Sequence, residues 1–206
     1  MLLREDESPD ANFYLEPRFV THIDDATIAA LTELYRELLP ARGDVLDLMS
    51  SWISHLPADL PLGRVAGLGM NARELAANER LDEYVVHDLN ADPRLPYSDS
   101  AFDAVLNTVS IQYLTRPLEV FREISRVLRP GGLALVAMSH RLFPTKAIAG
   151  FRSLPPQERM RLVEFYVASA PGFEKPWLID RSPANADPLW VVAARRTANH
   201  GGASTR

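Results

Sequence analysis

Apolar residues along this chain recur in turn with helical and with strand-like spacing, which predicts a mostly parallel sheet covered by helices. Ile28, Leu31, Leu34, Tyr35 and Leu38 fall on one face of a helix that Asp24 or Asp25 can cap and Pro40 stops. The run Asp44-Val45-Leu46-Asp47-Leu48-Met49 reads as a buried strand, followed by a short segment over residues 50–56 that Pro57 breaks. Arg64-Val65-Ala66-Gly67-Leu68 predicts a second strand, residues 72–78 a short helix, and Tyr84-Val85-Val86-His87 a third strand ending at Asp88. Phe102-Asp103-Ala104-Val105-Leu106 predicts a fourth. Pro117 suits a first helical turn, and Leu118, Phe121, Ile124 and Leu128 form the apolar stripe behind it. Arg129-Pro130-Gly131-Gly132 ends that helix and turns into a fifth strand over residues 133–138. A helix over 155–168 and strands near 177–180 and 189–194 complete the pattern, the last two as an antiparallel edge.

With 206 residues the chain suits a single domain. The periodic pattern occupies residues 13–196, while 1–12 and 197–206 are polar and read as flexible ends. A net charge of −5 with scattered Lys and Arg argues against nucleic acid and anionic membrane as partners. A small-molecule substrate is the expectation. The sequence contains no cysteine, which removes disulfides, thiolate metal sites and cysteine nucleophiles. No apolar run approaches a membrane span, and Met1 to Asp10 lack the features of a signal peptide, so a cytoplasmic setting is expected. His22, His55, His87 and His140 show neither an HExxH motif nor a helical pair spacing, so no metal site is expected.

Two longer runs carry a family signal. Leu95-Pro96-Tyr97-Ser98-Asp99-Ser100-Ala101-Phe102-Asp103-Ala104-Val105 resembles the segment around the fourth strand of class I S-adenosylmethionine-dependent methyltransferases. So does Leu118-Glu119-Val120-Phe121-Arg122-Glu123-Ile124-Ser125-Arg126-Val127-Leu128-Arg129-Pro130-Gly131-Gly132. The resemblance implies a doubly wound, Rossmann-like seven-stranded sheet, mostly parallel with an antiparallel last strand. It also implies S-adenosylmethionine at the carboxyl ends of the first strands. The family carries a glycine-rich loop after the first strand, because backbone without Cβ can approach the cofactor closely. Here that loop reads Met49-Ser50-Ser51-Trp52-Ile53-Ser54, with no glycine. An acidic residue of the family at the end of the second strand is replaced by Gly69. Asp88 matches the family position that contacts the adenine amino group.

These matches imply cofactor contacts from Asp47, Met49, Ser50 and Ser51, from Gly69, Met70 and Asn71, from Asp88, Leu89 and Asn90, and from Asn107 and Thr108. Ser50 and Ser51 are expected to offer donors to a carboxylate if they open a short helix, and Asn71 to replace the missing acid. His140 after the fifth strand and Tyr113 after the fourth are the candidate catalytic groups. Tyr14, Arg18, His22, Ser110 and Arg141 are candidate substrate contacts, with Lys146 a possible partner of Arg141 for an anion. Two other readings stand beside this one. A scaffold that has lost its cofactor would explain Gly69 and the glycine-free loop. Gly67-Leu68-Gly69-Met70-Asn71-Ala72 also matches a nicotinamide-dinucleotide pattern, with Asp88 at the ribose spacing.

Overall fold

A computed structural model of the chain describes residues 1–198. Helix α1 (Asp10–Phe13) precedes α2 (Asp25–Leu38), and β1 (Val45–Leu48), β2 (Val65–Gly69), α3 (Ala72–Ala76) and β3 (Glu83–Val86) follow. Next come β4 (Phe102–Thr108), α4 (Pro117–Val127), β5 (Leu128–Met138), α5 (Ala149–Ser153), α6 (Pro156–Ser169), β6 (Trp177–Asp180) and β7 (Trp190–Arg195). The seven strands form one sheet in the order β3-β2-β1-β4-β5-β7-β6. The first five are parallel; β7 runs antiparallel to both β5 and β6. This is the doubly wound sheet expected from the alternation of elements.

Side chains alternate across the sheet and divide the core in two. Leu46, Leu48, Ala66, Val105, Val136 and Val192 face α4 and α6, where Phe121, Ile124, Val163 and Tyr166 cover them. Val45, Val65, Leu106, Leu135 and Val191 face α2 through Leu31, Leu34 and Tyr35. Asp24 caps α2 by accepting from Thr27 N at 2.9 Å, as its sequence position predicts.

Three local expectations change. Residues 50–56 form no helix; they are an irregular loop. Leu118 points outward, and Val120 and Val127 join the buried stripe instead. The fifth strand begins at Leu128, because Phe102 pairs with Leu128 before the register shifts to Ala104 with Leu133. The N-terminal residues bond to the segment over residues 145–150. Asp6 N donates to Thr145 O, Ala149 N to Leu3 O and Gly150 N to Met1 O at 2.8–2.9 Å. Lys146, fully buried, clasps this segment: its Nζ donates to Ser8 O at 2.7 Å and lies 3.1 Å from Asp6 Oδ2 and 3.2 Å from Asp10 Oδ1. A buried ammonium requires such partners, and they lie more than 130 residues away in sequence. At the other end, Thr197 N bonds Gly172 O, and the expected flexible tail lies, from residue 199 onward, outside the described residues.

Candidate functional site

A cavity of about 310 Å³ opens at the carboxyl ends of β1, β2 and β4 and just beyond β3. It straddles β1 and β4, where the strand order reverses, which is the general ligand position on open α/β sheets. Its volume is at the lower end of small-molecule sites. The N-terminal segment supplies much of one wall through Asp10, Tyr14, Arg18, His22 and Ile23.

The glycine-free loop is held by a chain of buried hydrogen bonds. Ser50 Oγ and Ser54 Oγ both donate to Asp47 Oδ2 at 2.6 Å, and Asn78 Nδ2 donates to Ser54 Oγ at 2.8 Å and to Ser51 O at 2.9 Å. Ser51 Oγ donates to Glu74 Oε2 at 2.6 Å. Met49 adopts the left-handed backbone (φ 59°), the conformation a glycine takes at no steric cost. The loop also explains the missing acid. A Cβ on Gly69 would lie 2.2 Å from the Ser50 carbonyl oxygen, so no side chain fits there. The expected hydroxyl donors are therefore spent inside the protein, and Ser50 and Ser51 open no helix.

Burial raises the Asp47 carboxyl to about 6, against the pull of its two serine donors. A folded value above the unfolded one favours folding at low pH, and that contribution is lost as pH rises from 3.8 through about 6. At pH 8 the buried charge costs about 3 kcal/mol. Denaturant titrations of Asp47→Asn and the parent protein at pH 4 and pH 8 should therefore show the stability difference shift by roughly 2–2.5 kcal/mol in the variant's favour. A difference independent of pH would refute the assignment.

Several candidate residues are bonded within the protein, although Asn71, Asn90, Tyr113 and Arg141 also line the cavity. Asn71 caps α3: its Oδ1 accepts from Arg73 N and Glu74 N, and its Nδ2 donates to Tyr14 O and Leu15 O. No group remains for a ribose. Asn90 is equally committed, donating to Asp10 Oδ2 and Tyr113 O and accepting from Thr115 N and Oγ1. Asn107 is not among the lining residues, and its Nδ2 reaches Leu48 O at 3.3 Å. His140 also lies outside the lining, with Nε2 3.2 Å from Asp187 Oδ1. Tyr113 lines the cavity, but its hydroxyl accepts from Phe143 N at 2.9 Å, and burial raises its pKa. It braces the 143 loop. Arg141 lines the wall while its Nε pairs with Asp187, and Lys146 is used in the N-terminal clasp.

Other expected residues do converge. Met49, Gly69, Met70, Asp88, Leu89, Thr108, Ser110, Tyr14, Arg18 and His22 all line the cavity. Asp88 Oδ1 accepts from Asn90 N at 2.9 Å and Ala91 N at 3.3 Å, fixing the turn after β3. Thr108 Oγ1 is tied to Tyr35 Oη at 2.6 Å. Ser110 Oγ is buried with no hydrogen-bond partner.

The sequence reading missed Asp10, His55, Glu74, Val109 and Phe143 as lining groups. Only Glu74 had a usable signal: Asn71-x-x-Glu74 spells a helix start, and Glu74 is buried there, accepting from Arg18 N at 2.7 Å. Burial lowers His22, and lowers His55 to about 4, so both present neutral imidazoles at pH 7. His55 (φ 54°) and Val109 (φ 50°) occupy the left-handed region, which is unusual above all for a β-branched residue.

The nicotinamide pattern fails on geometry. Gly67 and Gly69 both lie within β2, where they clear Leu81 and the Ser50 carbonyl, not in a turn leading to a helix. Among the described residues no group of three or more metal-ligating side chains converges, and no helix is long and apolar enough to cross a membrane.

An open, mostly parallel sheet with a partly polar cavity at its switch point is the architecture of the doubly wound α/β class. Residues 52–136 match the family model described as a methyltransferase domain. The chain is 38% identical over 66 residues to methyltransferase GfsG of Streptomyces halstedii, a match covering 32% of this chain and 24% of that one. It is 32% identical over 111 residues to the malonyl-acyl-carrier-protein O-methyltransferase of Hahella chejuensis, covering 50% and 38%. It thus spans less than half the length of these curated relatives. Among solved structures, the cyclase SpnF superposes with a TM-score of 0.61 at 20% identity, covering 82% of this chain and 81% of that one. The family match covers residues 52–136, and the sheet order agrees with the fold of the solved structure it resembles.

Proposed function

We propose that the protein is a methyltransferase that binds S-adenosylmethionine in the 310 Å³ cavity and acts on a small molecule in the cytoplasm. The observation carrying this reading is the position of that cavity at the sheet's switch point, with Asp88 at its rim as the family pattern requires. The residues present fit the cofactor. Asp88 would take the adenine amino group between Met70 and Leu89, and Glu74 is a further acid lining the same cavity. When bound, S-adenosylmethionine supplies an activated methyl group on a sulfonium sulfur.

Methyl transfer asks the protein for alignment, exclusion of water and sometimes a base. Thr108, Ser110, Tyr113 and Phe143 shape the wall beyond β4, where an acceptor would be aligned. The N-terminal segment shuts out water. His22, kept neutral by burial, is the group placed to receive an acceptor proton, in place of His140. Relatives named for malonyl-carrier and demethylmenaquinone methylation suggest an acceptor with an oxygen or activated carbon nucleophile.

Calorimetric titration with S-adenosylhomocysteine tests the reading directly, and micromolar binding is expected. Asp88→Asn keeps an acceptor for the turn but places a donor toward the adenine amino group. It should weaken binding about 10- to 100-fold, the worth of one charge-assisted hydrogen bond. Absence of binding in folded parent protein would favour the scaffold reading, for which the closure of Ser50 over Gly69 is the specific support.

A further inference from the structure

We infer that Arg18 is the carboxylate anchor of the cavity, taking over from loop donors that Ser50 and Ser51 no longer offer. The inference deepens the proposed function and rests on that reading of the cavity as a ligand site. Three observations carry it. Arg18 lines the cavity, and its Nη1 is buried without a hydrogen-bond partner. The rest of the side chain is fixed in place. Its Nη2 donates to Phe13 O at 2.8 Å, and its guanidinium carbon lies 4.3 Å from the Phe13 ring centre and 5.5 Å from that of Phe143. No carboxylate of the described residues lies within ion-pair distance of it.

A buried guanidinium nitrogen without an acceptor is costly unless a ligand completes it. Arg is also the side chain whose planar fork best matches a carboxylate. The aromatic rings hold that fork in advance, so little rotamer freedom is lost on binding. Here Ser50 N is spent on Leu68 O at 2.8 Å, and both serine hydroxyls point their protons at Asp47 and Glu74. The carboxylate can belong to the amino-acid end of the cofactor or to the acceptor, and both would be read by the same contact.

Calorimetry with S-adenosylhomocysteine and 5′-methylthioadenosine separates these sources, because the second lacks the amino-acid group. Arg18→Met keeps an apolar stem between Phe13 and Phe143. It should weaken S-adenosylhomocysteine about 10- to 100-fold and 5′-methylthioadenosine less than about 2-fold if the cofactor supplies the carboxylate. If neither changes, malonate and succinate should raise the melting temperature of the parent protein but not of the variant, which assigns the carboxylate to the acceptor. Equal weakening of both nucleosides, or no response in either arm, overturns the inference. Failure of the parent protein to bind either nucleoside refutes the proposed function instead, and the dicarboxylate arm still decides Arg18. Should Arg18→Met not fold, Arg18→Lys keeps the charge without the fork and should lose part of the same discrimination.

Discussion

Gly69→Asp, which restores the acidic residue typical of the family, is expected to damage this protein rather than improve it. The new Cβ would sit 2.2 Å from Ser50 O and 3.2 Å from Leu75 Cδ2. A backbone oxygen cannot swing aside like the end of a side chain. Moving it would break the Ser50 N to Leu68 O bond and the Asp47–Ser50–Ser54 network. A loss of more than about 3 kcal/mol is expected, or a melting temperature lower by roughly 6–12 °C for a chain of this size. Gly69→Ala should show most of the same loss, because the obstacle is the Cβ itself. Parent-like melting of Gly69→Asp together with tighter S-adenosylhomocysteine binding would show that the loop yields easily and that the closure is not built in.

The second large effect belongs to Lys146. Removing one partner of a buried ionic cluster usually costs about 3–5 kcal/mol, since the remaining charges stay desolvated. Lys146→Met leaves Asp6 and Asp10 without the ammonium, though Arg4 still holds Asp10 at 2.7 Å. The N-terminal segment can escape that cost by detaching, so the loss should appear there rather than as global unfolding. Amide exchange should accelerate at Asp6, Ala149 and Gly150, whose N–H groups bond across this junction. Asp10, Tyr14 and Arg18 line the cavity, so ligand affinity should fall with it. Unchanged exchange at those three amides would mean that the backbone bonds alone hold the segment.

Nearly all strands and the main helices could be read from the chain, because burial on a sheet or helix face imposes a period that local sequence records. Asp88 was legible for a related reason, as it lies two residues past the end of a strand and its backbone position follows from that strand. Tyr14, Arg18 and His22 were candidate substrate contacts ahead of α2, and all three line the cavity. Four further candidates line the cavity but share another feature. Asn71, Asn90, Ser50 and Ser51 carry the polar atoms a ligand would want, and each is already satisfied by the protein. Ser51 is answered by Glu74, 23 residues on, and Asn90 by Asp10, 80 residues back. His140 stood at the correct end of the correct strand, yet Asp187, 5% exposed, draws it to the outside of the cavity.

The sequence by itself determined the alternation of strands and helices, the domain-sized core and the switch-point location that follows from the strand order of the family. These depend on periodic burial and on short-range turn chemistry, both of which act between near neighbours. Only the tertiary structure decided which hydroxyls face a ligand and which face a carboxylate of the protein. It alone showed that Gly69 lacks a side chain because Ser50 lies over it, and that the N-terminal segment is fastened by Lys146. The physical reason is that a polar group takes whichever partner lies about 3 Å away once the chain has packed, and sequence separation carries no information about that distance.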